Sequence, residues 1–179
     1  ERLGQEAEVS YTDLIIKAVA LALTAHPRLN ARLVGEEIEL PTEVNIGVAV
    51  SLDQGLIVPV LHHLNDKPLR EIAAETKRLV MSARAGTLRE FDLTGGTFSI
   101  TNLGMYGIDE FTPIIDPPEI AILGIGRIVT RPVQKDGALA WRQMLTLSLT
   151  FDHRAVDGAP AAEFLQTVRE RLEDPTDLA

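Results

Sequence analysis

An α/β domain with a mixed β-sheet flanked by helices is the fold class predicted for this chain, and three observations carry the prediction. The stretch Leu145 to Phe151 alternates strictly, with Leu145, Leu147, Leu149 and Phe151 apolar and Thr146, Ser148 and Thr150 polar, the period-two pattern of a half-buried strand. The runs Val44 to Val50 and Ile120 to Ile125 are almost wholly apolar, as strands covered on both faces are. Between and around them, Leu14 to Ala25 and Leu69 to Ala85 are long enough and suitably patterned for helices. At 179 residues, 45% of them hydrophobic and 24% charged, the chain suits one domain with a substantial core.

Taken in order, the first helix is Leu14 to Ala25, with Ser10 or Thr12 as its cap and His26-Pro27 as its end, because the residue before a proline is pushed out of the helical region. Ala and Leu on all its sides imply burial against the sheet. Short strands follow at Ala31 to Val34, Glu37 to Leu40, Val44 to Leu52 and Leu56 to Leu61, with Asp53-Gln54-Gly55 as a hairpin turn. Gly47, in the middle of one of them, marks a bulge, a close ligand approach or a packing contact. Leu69, Ile72, Ala73, Leu79 and Val80 give the second helix its apolar stripe, and Gly86 ends it. Its charged face, with Glu71, Glu75, Lys77 and Arg78, reads as solvated. The Gly95-Gly96 turn feeds a strand at Thr97 to Asn102, Leu103-Gly104 turns out of it, and Met105 to Pro118 is a loop. After the strand Ile120 to Ile125, Lys135-Asp136-Gly137 turns into a strand at Leu139 to Trp141. Gly158, Ala159 and Pro160 then open a last helix whose buried stripe is Ala161, Leu165, Val168 and Leu172.

Composition excludes several classes of function. With 17 basic and 26 acidic residues the net charge is −9, which argues against nucleic-acid binding. The longest apolar run, Leu14 to Ala25, is interrupted by Lys17 and falls short of the ~18 residues a membrane span needs. There is no cysteine, hence no disulfide, thiolate metal site or cysteine nucleophile. His62 and His63 are adjacent, but no third ligand accompanies them, and no metal site is expected. Glycine-rich phosphate loops are absent, since Gly124-x-Gly126 lacks a third glycine and a following helix.

What the pattern offers for chemistry is His153, just beyond the alternating strand, with Asp157 four residues on and a helix behind. A histidine in a short connection between anchored elements can take and return a proton near neutral pH, with an unperturbed pKa of roughly 6.5. The competing reading is a polar loop residue, with Asp157 capping the last helix.

The stretch Asp152-His153-Arg154-Ala155-Val156-Asp157-Gly158 resembles the D-H-R-x-x-D-G motif of dihydrolipoamide acyltransferases, the E2 components of 2-oxo acid dehydrogenase complexes. Three further stretches agree and stand in the expected order: Gly55-Leu56-Ile57-Val58-Pro59-Val60, then Gly95-Gly96-Thr97-Phe98-Ser99-Ile100-Thr101-Asn102-Leu103-Gly104, then Phe111-Thr112-Pro113 followed by Pro118-Glu119-Ile120-Ala121-Ile122-Leu123-Gly124. The resemblance implies the CoA-dependent, chloramphenicol-acetyltransferase-like acyltransferase fold and a single catalytic domain over residues 1–179. It also implies that the chain is N-terminally truncated and carries neither a lipoyl nor a subunit-binding domain.

For the site, the resemblance implies His153 as the general base on the thiol of coenzyme A, Thr101 as the hydroxyl that stabilises the oxyanion, and Asp157 as the residue that fixes the loop and the histidine. Gly55, Leu56, Phe111 and Leu123 match positions along the substrate channel; plain core packing is the competing reading for the apolar ones. Arg154 is expected to make a structural ion pair. Coenzyme A is an anionic substrate for an acidic chain, and Arg127, Arg131, Lys135 and Arg142 are the grouped basic candidates to offset the field. The acyl donor is a lipoyl group carried by a separate lipoyl domain, and Met105 to Phe111 leans toward acetyl.

As partners the family implies a homotrimer with His153 and Thr101 supplied by neighbouring chains, possible assembly into a cubic or icosahedral core, and E1 and E3 components. The compartment expected from the resemblance is the bacterial cytoplasm, or alternatively the mitochondrial matrix. The polar ending Glu173 to Ala179 speaks against higher assembly through an apolar tail. Two other functions compete: a non-catalytic scaffold of the same fold, and a hydrolase using Thr101, His153 and Asp157 as a triad.

Overall fold

Ser10 starts the first helix. In the computed structural model, which describes residues 8–135 and 137–178, its Oγ accepts from the N–H of Asp13 at 3.3 Å while Asp13 Oδ2 accepts from the N–H of Ser10 at 2.9 Å. This capping box opens α1 (Tyr11–Ala25). Thr12, the other expected cap, instead accepts from Asn102 Nδ2 at 3.2 Å. The helix stops at His26, and Pro27 opens a short 3-10 turn.

The strands follow as β1 (Arg32–Val34), β2 (Glu37–Glu39), β3 (Ile46–Val48), β4 (Val50–Leu52), β5 (Gly55–Ile57) and β6 (Val60–Leu61). Next come α2 (Leu69–Ala85), β7 (Phe98–Asn102), β8 (Ala121–Ile125), β9 (Val129–Lys135), β10 (Ala138–Met144), β11 (Leu147–Phe151) and α3 (Gly158–Glu173). Gly86 ends α2 at φ +67°, the left-handed conformation expected of a glycine there.

Five strands make the central sheet in the order β11-β8-β7-β3-β6, parallel at β8–β7 and β7–β3 and antiparallel at both edges. The mixed sheet is therefore as predicted. The pairs β1–β2, β4–β5 and β9–β10 are separate antiparallel hairpins. Register divides the sheet into two unlike faces. Ile46, Phe98, Ile100, Leu123 and Leu149 lie on the face that joins Ile16, Val19 and Leu23 of α1 and Phe164 of α3 in one apolar core. The opposite face carries Gly47, Ser99, Thr101, Gly124, Ser148 and Thr150, mostly small or hydroxyl-bearing, with Ile122 and Val60 among them.

Three expectations need correction. Val44 to Leu52 is two strands. β3 stays in the sheet, while after Ala49, whose N–H bonds Ile100 O at 2.9 Å, the chain leaves to form the β4–β5 hairpin. Leu56 to Leu61 is likewise broken, at Pro59, which has no N–H for a ladder. The short strand expected at Leu139 to Trp141 is one arm of the long β9–β10 hairpin, and β9 carries Pro132 opposite Trp141, a placement open only to a strand of this edge-like kind. Of the predicted turn Lys135-Asp136-Gly137, Asp136 lies outside the described residues, and Gly137 adopts φ +80°.

Candidate active site

His153 stands on the turn directly beyond β11. The N–H of Asp152 still bonds Ile120 O at 2.7 Å, so the ladder continues to this residue before the chain turns. Arg154 then clamps Asp152: its N–H donates to Oδ1 at 2.9 Å, its Nε to Oδ1 at 3.0 Å, and its Nη2 to Oδ2 at 2.6 Å. These bonds, the Arg154 side chain foremost, hold the Asp152 carboxyl below the usual carboxylate range. Arg154 is thus the structural ion-pair partner expected of it, and the clamp presents the intervening His153 to solvent.

The imidazole itself is loosely held. Its Nδ1 lies 3.6 Å from Asp157 Oδ1, an ion-pair distance and not a hydrogen bond, and the two side chains are 72% and 79% exposed. The Phe151 ring is 5.9 Å away and tilted by 37°. Asp157 occupies the N-cap position of α3 without making a side-chain capping bond, so the capping alternative is not realised.

Thr101 lies elsewhere, on the polar floor of the sheet. It pairs with Gly124, and Gly124 with Ser148. His153 is five residues beyond Ser148, which separates it from Thr101 by roughly 15 Å along the strands and about 10 Å across them. One carbonyl carbon cannot lie within ~3 Å of both groups of a single chain. A triad of Thr101, His153 and Asp157 within one chain is thereby excluded, and with it the single-chain hydrolase.

Around Thr101 the fit is close. A Cβ on Gly124 would lie 3.0 Å from the Phe111 ring, so that ring seals the strand beside Thr101. A Cβ on Gly126 would overlap the carbonyl oxygen of Asp109, and the N–H of Arg127 donates to Ile108 O at 2.8 Å. The loop after β7 is thereby pressed onto the end of β8. Asn102 fixes its beginning by accepting from the N–H of Gly104 at 2.9 Å.

The expected channel residues divide. Phe111 borders Thr101. Gly55 and Leu56 are exposed on the β4–β5 hairpin, Gly55 at φ +150° and Leu56 67% exposed. Leu123 is 0% exposed and lies in the core, since its register partners Ile100 and Leu149 face the helices, in keeping with the core-packing reading. The grouped cations are partly neutralised, with Arg127 Nε 2.6 Å and Arg131 Nη2 3.9 Å from Asp109. Arg142 pairs in register with Arg131, and the side chain of Lys135 lies outside the described residues.

Among the described residues no three His, Cys, Asp or Glu side chains converge as metal ligands. His62 stacks on Phe91 at 4.1 Å and its Nε2 meets Phe91 O at 3.0 Å, while His63 lies 3.4 Å from Glu43. No described helix is long and apolar enough to cross a membrane.

Sequence reasoning passed over one buried group on the Thr101 face. Glu119 is 8% exposed, and its Oε1 lies so close to Gly96 that a Cβ there would overlap it. Burial, with help from Asp116, pushes its carboxyl up to about 8, against the pull of the Ser99 hydroxyl and of Arg32. The signal available in the sequence was a carboxylate directly before the apolar run of β8.

Known proteins resemble the chain over nearly all its length. The sequence model of the family described as 2-oxoacid dehydrogenases acyltransferase (catalytic domain) matches residues 1–179. The dihydrolipoyllysine-residue acetyltransferase component of the acetoin cleaving system of Bacillus subtilis (strain 168) is 44% identical over 178 residues, covering 99% of this chain and 44% of that protein. The lipoamide acyltransferase component of the branched-chain alpha-keto acid dehydrogenase complex of Pseudomonas aeruginosa is 41% identical, with 98% and 41% covered. The chain thus spans under half the length of these curated relatives. A solved dihydrolipoamide acetyltransferase of Azotobacter vinelandii superposes with a TM-score of 0.92 at 36% identity over 96% of this chain and 72% of that one. That structure addressed the role of a serine, a histidine and an asparagine in the catalytic mechanism of the Azotobacter enzyme. Chloramphenicol acetyltransferase shares the fold, at a TM-score of 0.55 and 13% identity over 90% of this chain and 77% of that one. On a match that runs from the first residue to the last, the chain belongs to the 2-oxoacid dehydrogenase acyltransferases and represents their catalytic domain.

Proposed function

We propose that the chain moves an acyl group, acetyl by preference, between dihydrolipoamide and coenzyme A as the core of a 2-oxo acid dehydrogenase complex. The observation that carries this reading is a coincidence of spacing. In the Azotobacter enzyme the serine stands 52 positions before the histidine and the asparagine four after it, and Thr101, His153 and Asp157 stand at the same intervals. Serine and threonine offer the same hydroxyl. Aspartate for asparagine keeps an acceptor oxygen, which suits a residue that orients the loop.

A thiol with a pKa near 8.5 is mostly protonated at neutral pH, so transfer needs a base beside it. His153 takes the proton of the CoA thiol, and the thiolate attacks the thioester carbonyl of S-acyldihydrolipoamide. The Thr101 hydroxyl donates to the oxygen on which charge develops, favouring the transition state over the bound substrate. When the tetrahedral intermediate collapses, the carbon–sulfur bond to dihydrolipoamide breaks and His153 returns the proton to the leaving sulfur. One thioester replaces another, and the same groups serve the reverse reaction.

Because the two groups of one chain are far apart, His153 of one copy works with Thr101 of a neighbour, which calls for a closed ring of copies such as a trimer. The lipoyl group arrives on a separate domain, E1 and E3 complete the complex, and the setting is the cytoplasm. Rings of this kind are the unit from which larger cubic or icosahedral cores are built.

The test is acyl transfer from S-acetyldihydrolipoamide to CoA, with the assembly mass recorded in the same samples. His153→Ala abolishes measurable transfer, and Thr101→Ala lowers it on the order of 10² to 10³-fold, about 3 to 4 kcal/mol. A His153→Ala protein that assembles and keeps wild-type rates would refute the reading. A wild-type assembly with no transfer would leave the scaffold alternative.

A further inference from the structure

Most buried charged side chains of the described residues have an evident task. Asp13 caps α1, Lys17 donates to Lys67 O at 2.9 Å, and Asp92 receives Arg78 and Arg89. Glu119 does not fit this pattern. Its Oε2 is sealed from solvent without a hydrogen-bond partner, and so is the Nε of Arg32, the residue bridged to Glu119 through the backbone; the Ser99 hydroxyl lies beside the carboxyl and favours its charged form without completing a well-formed hydrogen bond. Glu119 Oε1 and Ser99 Oγ converge on one spot, lying 3.9 Å and 2.9 Å from where a Cβ on Gly47 would stand. Gly47 and Gly96 therefore provide the space that the carboxyl fills, and Val58 and Val60 close it. Of the three readings of Gly47, a bulge, a close ligand approach or a packing contact, the packing contact is the one seen here.

The location matters because Ser99 and Thr101 are neighbours on the same face of β7, about 7 Å apart. We propose that Glu119 is a positioning residue for the acyl-transfer site, its buried carboxyl underpinning the strand that carries the oxyanion donor. The inference rests on the acyltransferase reading of Thr101. Once ionised, the carboxylate lies next to the place where the reaction develops its own negative charge, and at this separation in a protein interior the repulsion slows transfer on the order of tenfold. Burial raises the carboxyl toward the alkaline side, so the neutral form prevails at pH 7. The charged groups acting on it are Asp116 in its own loop and Arg32 on β1; Gly47 of β3, Ser99 of β7, Gly96, Val58 and Val60 beside it are uncharged. His62, behind Gly95, is engaged with Phe91 O.

The experiment is the transfer rate from pH 6.5 to 9.5 in the assembled protein, for wild type, Glu119→Gln and Ser99→Ala. The ratio of Glu119→Gln to wild type rises about tenfold across that range with a midpoint near 8, because the amide cannot ionise. Ser99→Ala, which removes the hydroxyl that favours the charged form, moves the wild-type alkaline fall to higher pH, and this second variant decides the matter should Glu119→Gln not assemble. A ratio flat with pH, or a fall that Ser99→Ala leaves in place, overturns this inference alone. No transfer by wild type at any pH overturns the acyltransferase reading and this inference with it.

Discussion

Mixing two inactive variants should restore activity. Thr101→Ala keeps the proposed base, and His153→Ala keeps the proposed oxyanion donor. In one chain the two groups are separated by the step from Thr101 through Gly124 to Ser148 and then by the five residues to His153. That amounts to roughly 18 Å, several times the reach of a hydrogen bond. On the proposed mechanism, each site therefore combines two copies. In a ring reassembled from equal amounts of both variants, a site is intact only when its histidine comes from a Thr101→Ala chain and its threonine from a His153→Ala chain. Random assortment gives this combination in about one site in four, whatever the number of copies in the closed ring. The assay dissociates each variant in mild denaturant, mixes, reassembles, and measures acetyl transfer to CoA alongside the mass of the assembly. Recovery near a quarter of the wild-type rate is expected, against the residual rate of either variant alone. Mixed rings that form and recover nothing would refute the two-copy site and the register argument beneath it.

Two further predictions concern what holds the site's framework. Asp92 is buried under Arg89 and Arg78, and those guanidinium groups, the Arg89 bond first, hold its carboxyl well below the usual range. A depressed native pKa gives stability that is complete above the unfolded carboxylate range near 4 and lost as pH falls below it. Asp92→Asn should thus cost about 3 kcal/mol at pH 7 and flatten the acid limb of urea-unfolding midpoints; an unchanged acid limb would sink the assignment. Gly126→Ala drives a Cβ into the backbone oxygen of Asp109, which cannot rotate away as the Phe111 ring facing Gly124 can. It should cost about 2 to 3 kcal/mol in urea unfolding, more than Gly124→Ala, and a difference below ~0.5 kcal/mol would show that the loop after β7 is not pressed onto β8.

The pattern in the chain was legible where one physical constraint acted along a continuous stretch. The alternation before His153, the apolar run of β8, and α2 with its terminal Gly86 appear nearly as expected, because side-chain period and a left-handed glycine are local properties. The break at Ala49 was not legible. Val44 to Leu52 reads as one apolar strand, and only the contest between β7 and the β5 arm for its backbone bonds divides it. Nor was β9, whose alternation is obscured by Arg131 and Pro132 and whose partner is supplied by the fold. Leu123 shows the opposite limit. A motif carries a residue's identity, but which face it occupies follows from register with Ile100 and Leu149.

The same distinction bears on the site. Motif spacing groups Thr101, His153 and Asp157, yet the geometry of one copy leaves His153 facing water with the Asp157 carboxylate at 3.6 Å. A base in that setting has no fixed tautomer, no fixed rotamer and no exclusion of solvent, and each of these is needed for general-base work on a thiol. The clamp of Arg154 on Asp152 supplies only half of the remedy: it fixes the turn from which the imidazole projects, not the ring. The rest must come from a surface that covers His153 from outside the chain. The floor around Thr101 has the complementary deficiency, a proposed oxyanion donor bordered by Phe111 on one side and roughly 18 Å from His153 of the same copy. Each half has what the other lacks, which is why assembly and catalysis should be lost together when the contact between copies is broken.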